Sequence, residues 1–369
     1  MYRIKVLMDS NDVDKRRKYR LMNRKKKIWI SVGAIMLLIA ITGAVFIWEQ
    51  YYRMNVCNFS SNDGESHGYY ILPDASIDSV LEIVLQDYKI AAETDFKWHK
   101  KRLLFNSVKP GYYRFPAKMG NREFMTKLQL GQQTPIRLTF NNQIRTREQL
   151  AGRLAKQLLL DSVSIIERLD STGYMQQYGL NRETAVCMFL PDTYEVYWTT
   201  TPDKLFDRMY KEYQRFWNVG RLHKADSLGL KPTEVATLAS IVESETHRQA
   251  EFPTIASLYL NRLRLGMPLQ ACPTVIFAVG DFKMRRVLKR HLRIESPYNT
   301  YINRGLPPGP IRCARGSTID SVLCAPKTDY LFMCANPDWS GTHLFSSSYG
   351  KHAAAAKEYQ KELNARQIH

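Results

Sequence analysis

The chain has 369 residues, of which 44% are hydrophobic and 24% charged, and its formal net charge is +18. That length exceeds what one hydrophobic core usually organises, so we expect one anchor and two folded units. Positive charge is concentrated at the start, where residues 1–27 hold eleven Lys or Arg against three Asp. No helix-turn-helix, RNP or zinc-finger pattern accompanies this charge, which argues against a nucleic-acid partner.

An uncharged stretch of 21 residues, Ile28 to Trp48, follows the basic segment. As a helix it is about 31 Å long, which is enough to cross a bilayer. Basic residues precede it and Glu49 follows it, so the positive-inside rule predicts a cytoplasmic tail (1–27), a transmembrane helix (28–48) and an exported body. The alternative is a cleaved signal peptide, whose apolar core would be shorter and would end in small residues.

The exported part reads as two folded pieces. Residues 49–68 are polar and turn-rich and are predicted to be a tether. Residues 69–145 alternate short strand and helix patterns, which predicts a small α+β module. At Thr146 a capping box with Gln149 opens a helix, so the predicted boundary lies just before it. Residues 146–369 form a larger mixed α/β domain, which makes the fold class α+β.

One helix carries a carboxyl group on its apolar side. The segment KPTEVATLASIVESET predicts a helix that begins at Pro232, with Glu234 in its first turn. On a helical wheel Glu245 extends the buried stripe at the helix end, whereas Glu243 lies on the flank. Burial raises the pKa of a carboxyl group, so that it can donate a proton near neutral pH, as a general acid must.

A second interpretation of Glu245 needs no catalysis. A glutamate at a helix end can graze the core and pair with a nearby cation, here Arg262 or Arg264. The helix alone leaves both interpretations open.

Longer motifs stand in a fixed order around LASIVESET. They are MFLPDTYEVY (188–197), ASLYLNRLRLGMPLQACPTVIFAVG (256–280), SPYNTYINRGLPPGPI (296–311) and APKTDYLFMCANPDWSGTHLFSSSYGKH (325–352). In this order they resemble the YceG-like family of membrane-anchored endolytic murein transglycosylases. The resemblance covers residues 185–361 and, more loosely, the small module, which is similar to the family's LysM-like subdomain.

The resemblance implies a lyase that cuts the MurNAc-GlcNAc β-1,4 bond within peptidoglycan glycan strands without water. It would leave 1,6-anhydroMurNAc ends and terminate strand elongation. The family's catalytic glutamate precedes Thr in IVxxET, which is Glu245 here. No cofactor or metal is expected. The implied setting is the bacterial inner membrane, with the body in the periplasm, and the implied partners are glycan strands and peptidoglycan synthases.

The resemblance also implies residues that bind the sugars. They are Gln270, Tyr298, Asn299, Thr300 and His343. SPYNTY and GLPPGPI are also turn-forming sequences, so Asn299 could equally tie down a loop. Asn261 and Arg262 are expected to brace the packing of helices.

One position departs from the family pattern LQxDPT, because Cys272 stands where the family has Asp. A thiol cannot replace a carboxylate as an acceptor or counter-ion at neutral pH, so rate, pH optimum or specificity should differ if that Asp supports catalysis. Two other functions stay open. One is a glycosidase that hydrolyses the same bond, and the other is a non-catalytic peptidoglycan-binding or scaffold protein of the wall-synthesis machinery.

Overall fold

The structure, a computed structural model, describes residues 10–284, 286–338 and 340–365. The first nine residues of the predicted basic tail lie outside the described residues. The chain divides into two compact units, Met1–Thr134 and Pro135–His369. Both contain helices and strands, so the predicted mixed α+β class is confirmed.

The first unit begins with one long helix, α1 (Ser10–Asn55), of 46 residues and about 69 Å. It contains the predicted span 28–48, whose large apolar side chains are exposed. Its stretch Asp14–Arg53 is long and apolar enough to cross a membrane.

The structure differs from the predicted tether at residues 49–68. α1 continues to Asn55, because no Gly or Pro interrupts it and Arg53 pairs with Glu49 one turn earlier at 2.8 Å. Strand β1 (Cys57–Ser61) starts soon afterwards, and its Phe59 is 1% exposed. The polar composition concealed this strand, because one buried aromatic residue supplies most of its apolar packing.

The remainder of the first unit is a small module of short strands and helices. After β1 its elements are β2 (His67–Ile71), α2 (Ile77–Asp87), β3 (Tyr88–Ile90), α3 (Glu93–Arg102), β4 (Gly111–Phe115), β5 (Lys118–Gly120) and α4 (Asn121–Leu130). β1 lies between β3 and β5, and β2 pairs with β4, all antiparallel. The ring of Phe124 lies 4.7 Å from Phe59 and 5.1 Å from Phe115, so aromatic contacts join the two sheets.

The second unit holds the larger domain. Its elements are β6 (Ile136–Phe140), α5 (Arg147–Ala155), α6 (Ser162–Asp170), α7 (Thr172–Gln176), β7 (Asp192–Val196), α8 (Pro202–Phe216), α9 (Val219–Ser227), α10 (Pro232–Glu245), α11 (Phe252–Arg264), α12 (Cys272–Val279), α13 (Gly316–Leu323), β8 (Phe332–Ala335), β9 (His343–Ser346) and α14 (Tyr349–Ala365). Short 3-10 helices lie at Ala185–Met188, Gln249–Glu251 and His291–Arg293. β6 pairs with β7 and β8 with β9, both antiparallel.

The unit starts before β6, whereas the sequence places the boundary just before Thr146. β6 belongs to the second unit because it pairs with β7, with Leu138 opposite Tyr194. Thr146 does cap α5 as predicted, since its hydroxyl group accepts a hydrogen bond from the Gln149 N–H at 3.2 Å.

Helix α10 is enclosed by the rest of the second unit. It begins at Pro232 as predicted, and the Glu234 side chain accepts a hydrogen bond from the Lys231 N–H at 2.7 Å. Every residue from Val235 to Glu243 is buried, and helices α9, α11, α12 and α13 pack against it. Packing on several sides therefore fixes where its C-terminal end lies.

Candidate active site

A cleft of ≈ 410 Å³ opens at the C-terminal end of α10. Its walls come from α11, from the segment that begins α12 and from the strands β8 and β9, and α14 adds His352. Glu245 lies in this cleft with Gln270 and His343, two of the five predicted sugar-binding residues. A concavity of this size is typical of ligand sites.

Glu245 is the last residue of α10, and protein atoms surround most of its carboxyl group. The Tyr259 hydroxyl group donates a hydrogen bond to Glu245 Oε1 at 2.5 Å. Burial raises the pKa of Glu245 to about 7, although the Tyr259 hydrogen bond and the charges of His343 and Arg262 act in the opposite direction. A substantial fraction of the molecules therefore keeps a proton on Glu245 at neutral pH.

Tyr259 and Arg262 reach the cleft from one face of α11, three residues apart. Burial raises the pKa of Tyr259 well above its usual value, so its hydroxyl group stays protonated and donates to Glu245. The Arg262 guanidinium group donates to the backbone carbonyls of Leu331 at 2.6 Å and Leu269 at 2.8 Å. Arg262 thus joins α11 to two non-helical segments of the cleft wall, whereas the prediction was that it braces the packing of helices. The hydrogen-bond partner of Glu245 is Tyr259.

Asn261 also joins α11 to a non-helical segment instead of to another helix. Its side-chain amide donates to the backbone carbonyls of Thr328 at 2.9 Å and Tyr330 at 3.0 Å. Arg264, the other cation considered for Glu245, donates instead to Asn261 Oδ1 at 2.9 Å.

His343 is held in the cleft by a largely buried carboxylate, Glu251. The His343 Nδ1 lies 2.9 Å from Glu251 Oε2, and the His343 backbone N–H donates to Glu251 Oε1 at 2.6 Å. The hydroxyl group of Thr246, the residue after Glu245, donates to the same carboxylate at 3.2 Å. With Nδ1 on Glu251, Nε2 is the ring nitrogen that a ligand in the cleft can meet.

Gln270 lines the cleft with a backbone conformation that residues other than glycine rarely adopt, at φ 53°. Its N–H donates to the Thr300 carbonyl at 3.1 Å, and its Oε1 accepts from Arg262 at 3.3 Å. Such a conformation persists only where neighbouring contacts hold it, and it often marks a functional site.

Asn299 and Thr300 are buried, and neither lines the cleft. The Asn299 amide donates to the carbonyls of Leu292 at 3.1 Å and Ile294 at 2.9 Å, so it ties down its own loop. The Thr300 hydroxyl group accepts from the Ala271 N–H at 3.0 Å. These residues support the segment that carries Gln270, and their hydrogen bonds to protein leave the predicted contact with sugar without geometric support.

Tyr298 also lies away from the cleft. Its ring centroid is 4.7 Å from that of Phe277, and it lines a separate cavity of ≈ 250 Å³ with Arg147 and Glu183. Within SPYNTY, Tyr298 contacts Phe277, whereas the next tyrosine, Tyr301, lines the Glu245 cleft. Tyr301 is the residue of this segment that the cleft uses.

Cys272, which stands where the family pattern has Asp, lies in the cleft wall. Its Sγ is 3.2 Å from the Tyr301 hydroxyl group. Burial raises the pKa of the thiol, so Cys272 is uncharged at neutral pH. It therefore adds no negative charge beside Glu245.

Glu243 is more deeply buried than the helical wheel suggests, at 4% exposure, because α10 is covered on all sides. Its carboxylate pairs with the Arg315 guanidinium group and accepts from the Arg315 N–H at 3.0 Å and the Asn142 amide at 2.9 Å. Glu243 thus fixes α10 to its surroundings. Two glutamates two residues apart have separate tasks, one structural and one facing the cleft.

Sequence analysis missed four residues of this arrangement: Tyr259, Glu251, Tyr301 and His352. The spacing of three between Tyr259 and Arg262 was a usable signal, because it places both on one helix face. Glu251 and His352 gave no local signal, because their partners are distant in the chain. Glu251 contacts His343 of β9, which comes much later, and the ring of His352 contacts Phe332 of β8, which comes earlier.

The arrangement offers one carboxyl group that is partly protonated at neutral pH, with a hydroxyl donor on one oxygen. Among the described residues no group of three or more His, Cys, Asp or Glu is placed to hold a metal ion. The raised pKa of Glu245 and its hydroxyl donor suit the cleft to transfer of a proton to and from a ligand.

The raised pKa makes stability depend on pH. Because the folded state binds the Glu245 proton more tightly than the unfolded state, this stabilisation is complete below pH 4.5 and is lost as pH rises through 7. We expect the unfolding free energy of the wild type to fall, relative to Glu245→Gln, by about 3 kcal/mol between pH 4 and pH 8. Denaturant unfolding at the two pH values measures it. Glu167→Gln, at an exposed position, is the matched control, and an equal pH response of wild type and Glu245→Gln would contradict the burial.

Comparison with known proteins finds relatives over most of the chain. A sequence profile of the YceG-like family matches residues 69–358. An endolytic murein transglycosylase of Bacillus subtilis is 28% identical over 310 residues, covering 79% of this chain and 84% of the relative. One of Streptococcus pneumoniae is 26% identical over 304 residues, covering 73% of this chain and 54% of the relative.

A solved structure agrees with the profile. The 2.6 Å crystal structure of a yceG-like protein from Listeria monocytogenes superposes with a TM-score of 0.54 at 25% identity. The match covers 79% of this chain and 98% of that one. By the extent of the profile match, this chain belongs to the YceG-like family.

Proposed function

We propose that this chain is a lytic transglycosylase of murein in which Glu245 is the catalytic acid and then the catalytic base. The observation that carries the proposal is the place of Glu245, whose carboxyl group is enclosed in a ligand-sized cleft with the Tyr259 hydroxyl group as its donor. Burial there raises its pKa to about 7. The name of its relatives, endolytic murein transglycosylase, supports the reaction class. The bond we propose is the MurNAc-GlcNAc β-1,4 linkage within a glycan strand.

The proposed chemistry needs one carboxyl group and no water. Protonated Glu245 gives its proton to the glycosidic oxygen as the bond to C1 breaks, and the N-acetyl group of the same sugar stabilises the cationic ring. The Glu245 carboxylate then takes the proton of the C6 hydroxyl group while that oxygen bonds to C1. The product is a 1,6-anhydroMurNAc end, and Glu245 recovers its proton, so atoms and charge balance.

Tyr259 organises these two proton transfers. Its hydroxyl group donates to Oε1 of Glu245, so the transferable proton belongs on Oε2. After that proton has left, the same hydrogen bond stabilises the carboxylate. Tyr259 thus keeps Glu245 acidic enough to release its proton against the strong effect of burial.

Sugar binding in this proposal rests on the polar groups that line the cleft. Gln270 offers an amide group, and His343 offers Nε2, each held in place by hydrogen bonds to the protein. Asn299 and Thr300 act indirectly, by holding the segment on which Gln270 lies. Cys272, without charge, lets the pKa of Glu245 depend on burial and not on a neighbouring carboxylate.

The setting we propose is the cytoplasmic membrane of a bacterium. α1 would cross it once, with residues 1–27 in the cytoplasm and the body in the periplasm. Cleavage there would terminate the elongation of nascent strands beside peptidoglycan synthases. We also propose a LysM-like fold for the small module, in which helices α2 and α3, with the short strand β3 between them, connect the paired strands β2 and β4.

Replacement of Glu245 by Gln tests the acid. The amide keeps the shape but has no transferable proton, so cleavage of purified murein should fall by at least about a hundredfold. Mass spectrometry of released fragments should find anhydro ends, one water lighter than hydrolysis products, from the wild type. Glu243→Gln, on the same helix, should lower stability but retain anhydro-product formation while folded. Near-normal turnover by Glu245→Gln, or reducing ends from the wild type, would contradict the proposal.

Replacement of Tyr259 by Phe tests its effect on the pKa. Because the hydrogen bond lowers the pKa of Glu245, its loss should raise that pKa and extend the protonated form to higher pH. The alkaline limb of the kcat/KM profile should move upward, and kcat should fall roughly tenfold. Tyr301→Phe, which removes a hydroxyl group from the same cleft, should leave the limb in place. A limb that stays or moves downward in Tyr259→Phe would refute the role.

The membrane topology is tested by fusion and protection. A reporter that is active only outside the cytoplasm should work when it is fused after His369 and fail when it precedes Met1. Protease added to intact spheroplasts should digest the body and spare the first 27 residues. A protected body would reverse the proposed orientation.

A further inference from the structure

His352 lines the Glu245 cleft from helix α14, and the chemistry proposed above gives it no task. Its imidazole ring stacks on the Phe332 ring of strand β8, with 5.4 Å between the ring centroids and 22° between the planes. The Tyr349 ring, one turn earlier in α14, lies 6.2 Å from it. Two aromatic neighbours thus fix the plane in which the ring nitrogens of His352 lie.

The two ring nitrogens of His352 have different surroundings. Nδ1 is buried and has no hydrogen-bond partner among the described residues. Because the ring lines the cleft while Nδ1 is enclosed, Nε2 is the nitrogen that a ligand can meet. Burial, together with the charge of Arg262, lowers the pKa of His352, so the ring is uncharged at neutral pH and carries a single N–H.

The single N–H of His352 belongs on Nε2. Buried N–H groups without an acceptor are rarer in proteins than under-satisfied acceptors, so a proton on the enclosed Nδ1 would be the more costly choice. On Nε2 the same proton points to the side from which a ligand approaches. His352 therefore presents an uncharged hydrogen-bond donor to the cleft.

His343 presents the opposite kind of group. Its Nδ1 lies 2.9 Å from Glu251 Oε2, and a carboxylate only accepts, so the proton is on Nδ1. In the uncharged ring, Nε2 of His343 is then an acceptor. A sugar hydroxyl group can donate to that nitrogen, whereas the N–H of His352 requires an acceptor from the ligand.

The two imidazole rings also stand at different places along strand β8. Ala335 of β8 pairs with His343 of β9. Phe332 of β8 stacks with the ring of His352. Three residues of strand separate the two positions, about 10 Å at ~3.3 Å per residue. Because the charge of His343 acts on Glu245, His343 lies beside the reacting group, and His352 lies further along the cleft.

Apolar side chains line the cleft beside these polar groups. Met333, which follows Phe332 in β8, is one of them, and Leu258 and Leu269 are others. An acetamido group combines a carbonyl oxygen, which accepts from an uncharged N–H, with a methyl group, which apolar side chains cover. Each GlcNAc and MurNAc carries an acetamido group, so a glycan strand offers one at every sugar along the cleft.

We propose that Nε2 of His352 donates a hydrogen bond to the acetamido carbonyl of a sugar further along the strand from the bond that Glu245 cleaves. Since the ligand is a glycan strand, the inference rests on the proposed function. His352 contributes to substrate binding and leaves proton transfer to Glu245. The contact makes the cleft select acetylated strands over strands with free amino groups, because a protonated amine has no lone pair to accept the N–H.

The test measures how two replacements of His352 change the binding of murein glycan strands without stem peptides. Every full-length protein carries Glu245→Gln, so that the strands stay intact. His352→Phe keeps an aromatic ring against Phe332 and removes the N–H, so the dissociation constant should rise about tenfold. His352→Gln, whose amide offers an N–H at a similar reach, should restore most of the affinity. His223→Phe, at an exposed position of α9, is the matched control and should bind like the parent.

De-N-acetylated strands separate a contact with the acetamido group from a general loss of binding or folding. His352→Phe should bind these strands as the parent does, within about twofold, because the group that accepts the N–H is absent. Equal loss on both kinds of strand, no loss on acetylated strands, or failure of His352→Gln to restore affinity would each overturn the proposal.

The kinetics of the active enzyme distinguish this contact from the proposed function of Glu245. With Glu245 present, His352→Phe should raise KM about tenfold and leave kcat within about twofold, and its products should still have anhydro ends. A fall in kcat at unchanged KM would contradict the binding role of His352. Products without anhydro ends from the wild type would contradict the chemistry of Glu245, and the dissociation constants would still decide the role of His352.

Discussion

The chemistry proposed for the second unit depends on removing one carboxyl group from water without giving it a cation as a direct partner. A Glu245 paired with arginine would stay ionised at neutral pH and could not donate a proton. Here burial raises its pKa, and a neutral hydroxyl donor, Tyr259, limits the rise. The result, about 7, lies where a group can both give and accept a proton.

The residues packed around Glu245 preserve this balance between burial, which raises its pKa, and the Tyr259 hydrogen bond, which lowers it. The buried Glu243 and the partly exposed Arg315 form an ion pair that fixes α10, so this attraction between opposite charges lies away from the cleft. Arg262 donates hydrogen bonds to backbone carbonyls of the cleft walls, and it acts on Glu245 only through its charge. The hydrogen-bonded chain from Thr246 through Glu251 to His343 links the end of α10 to β9. Because Cys272 is uncharged, it adds no negative charge that would raise the pKa of Glu245 further.

The sequence predicts those elements that are determined by residues close together in the chain. The start of α10 at Pro232, the cap at Thr146 and the long apolar helix follow from residues that are neighbours in the chain. The wheel also separated Glu245 from Glu243, because α10 is regular. It misjudged the burial of Glu243, since a wheel shows direction and not how many neighbours cover the helix. Strand β1 was missed because its polar sequence resembles a linker.

The predicted sugar-binding residues show most clearly what cannot be predicted from a single sequence. A motif such as SPYNTY does not indicate which of its members face a ligand. The structure directs Tyr301 to the cleft, buries Asn299 and Thr300, and turns Tyr298 toward Phe277. Tyr259 and Glu251 become visible only when α11 and β9 are placed beside the end of α10. Contacts between segments distant in the chain decide these positions, and a single sequence does not encode them in any local pattern.

The most direct test of this account is the titration of Glu245 itself. Infrared difference spectra between the wild type and Glu245→Gln, recorded across pH, isolate the C=O stretch of the protonated Glu245 carboxyl group. The account predicts that this band is present at pH 5 and disappears with a midpoint at about 7. A midpoint at about 4.5, the value of an ordinary glutamate, would contradict it.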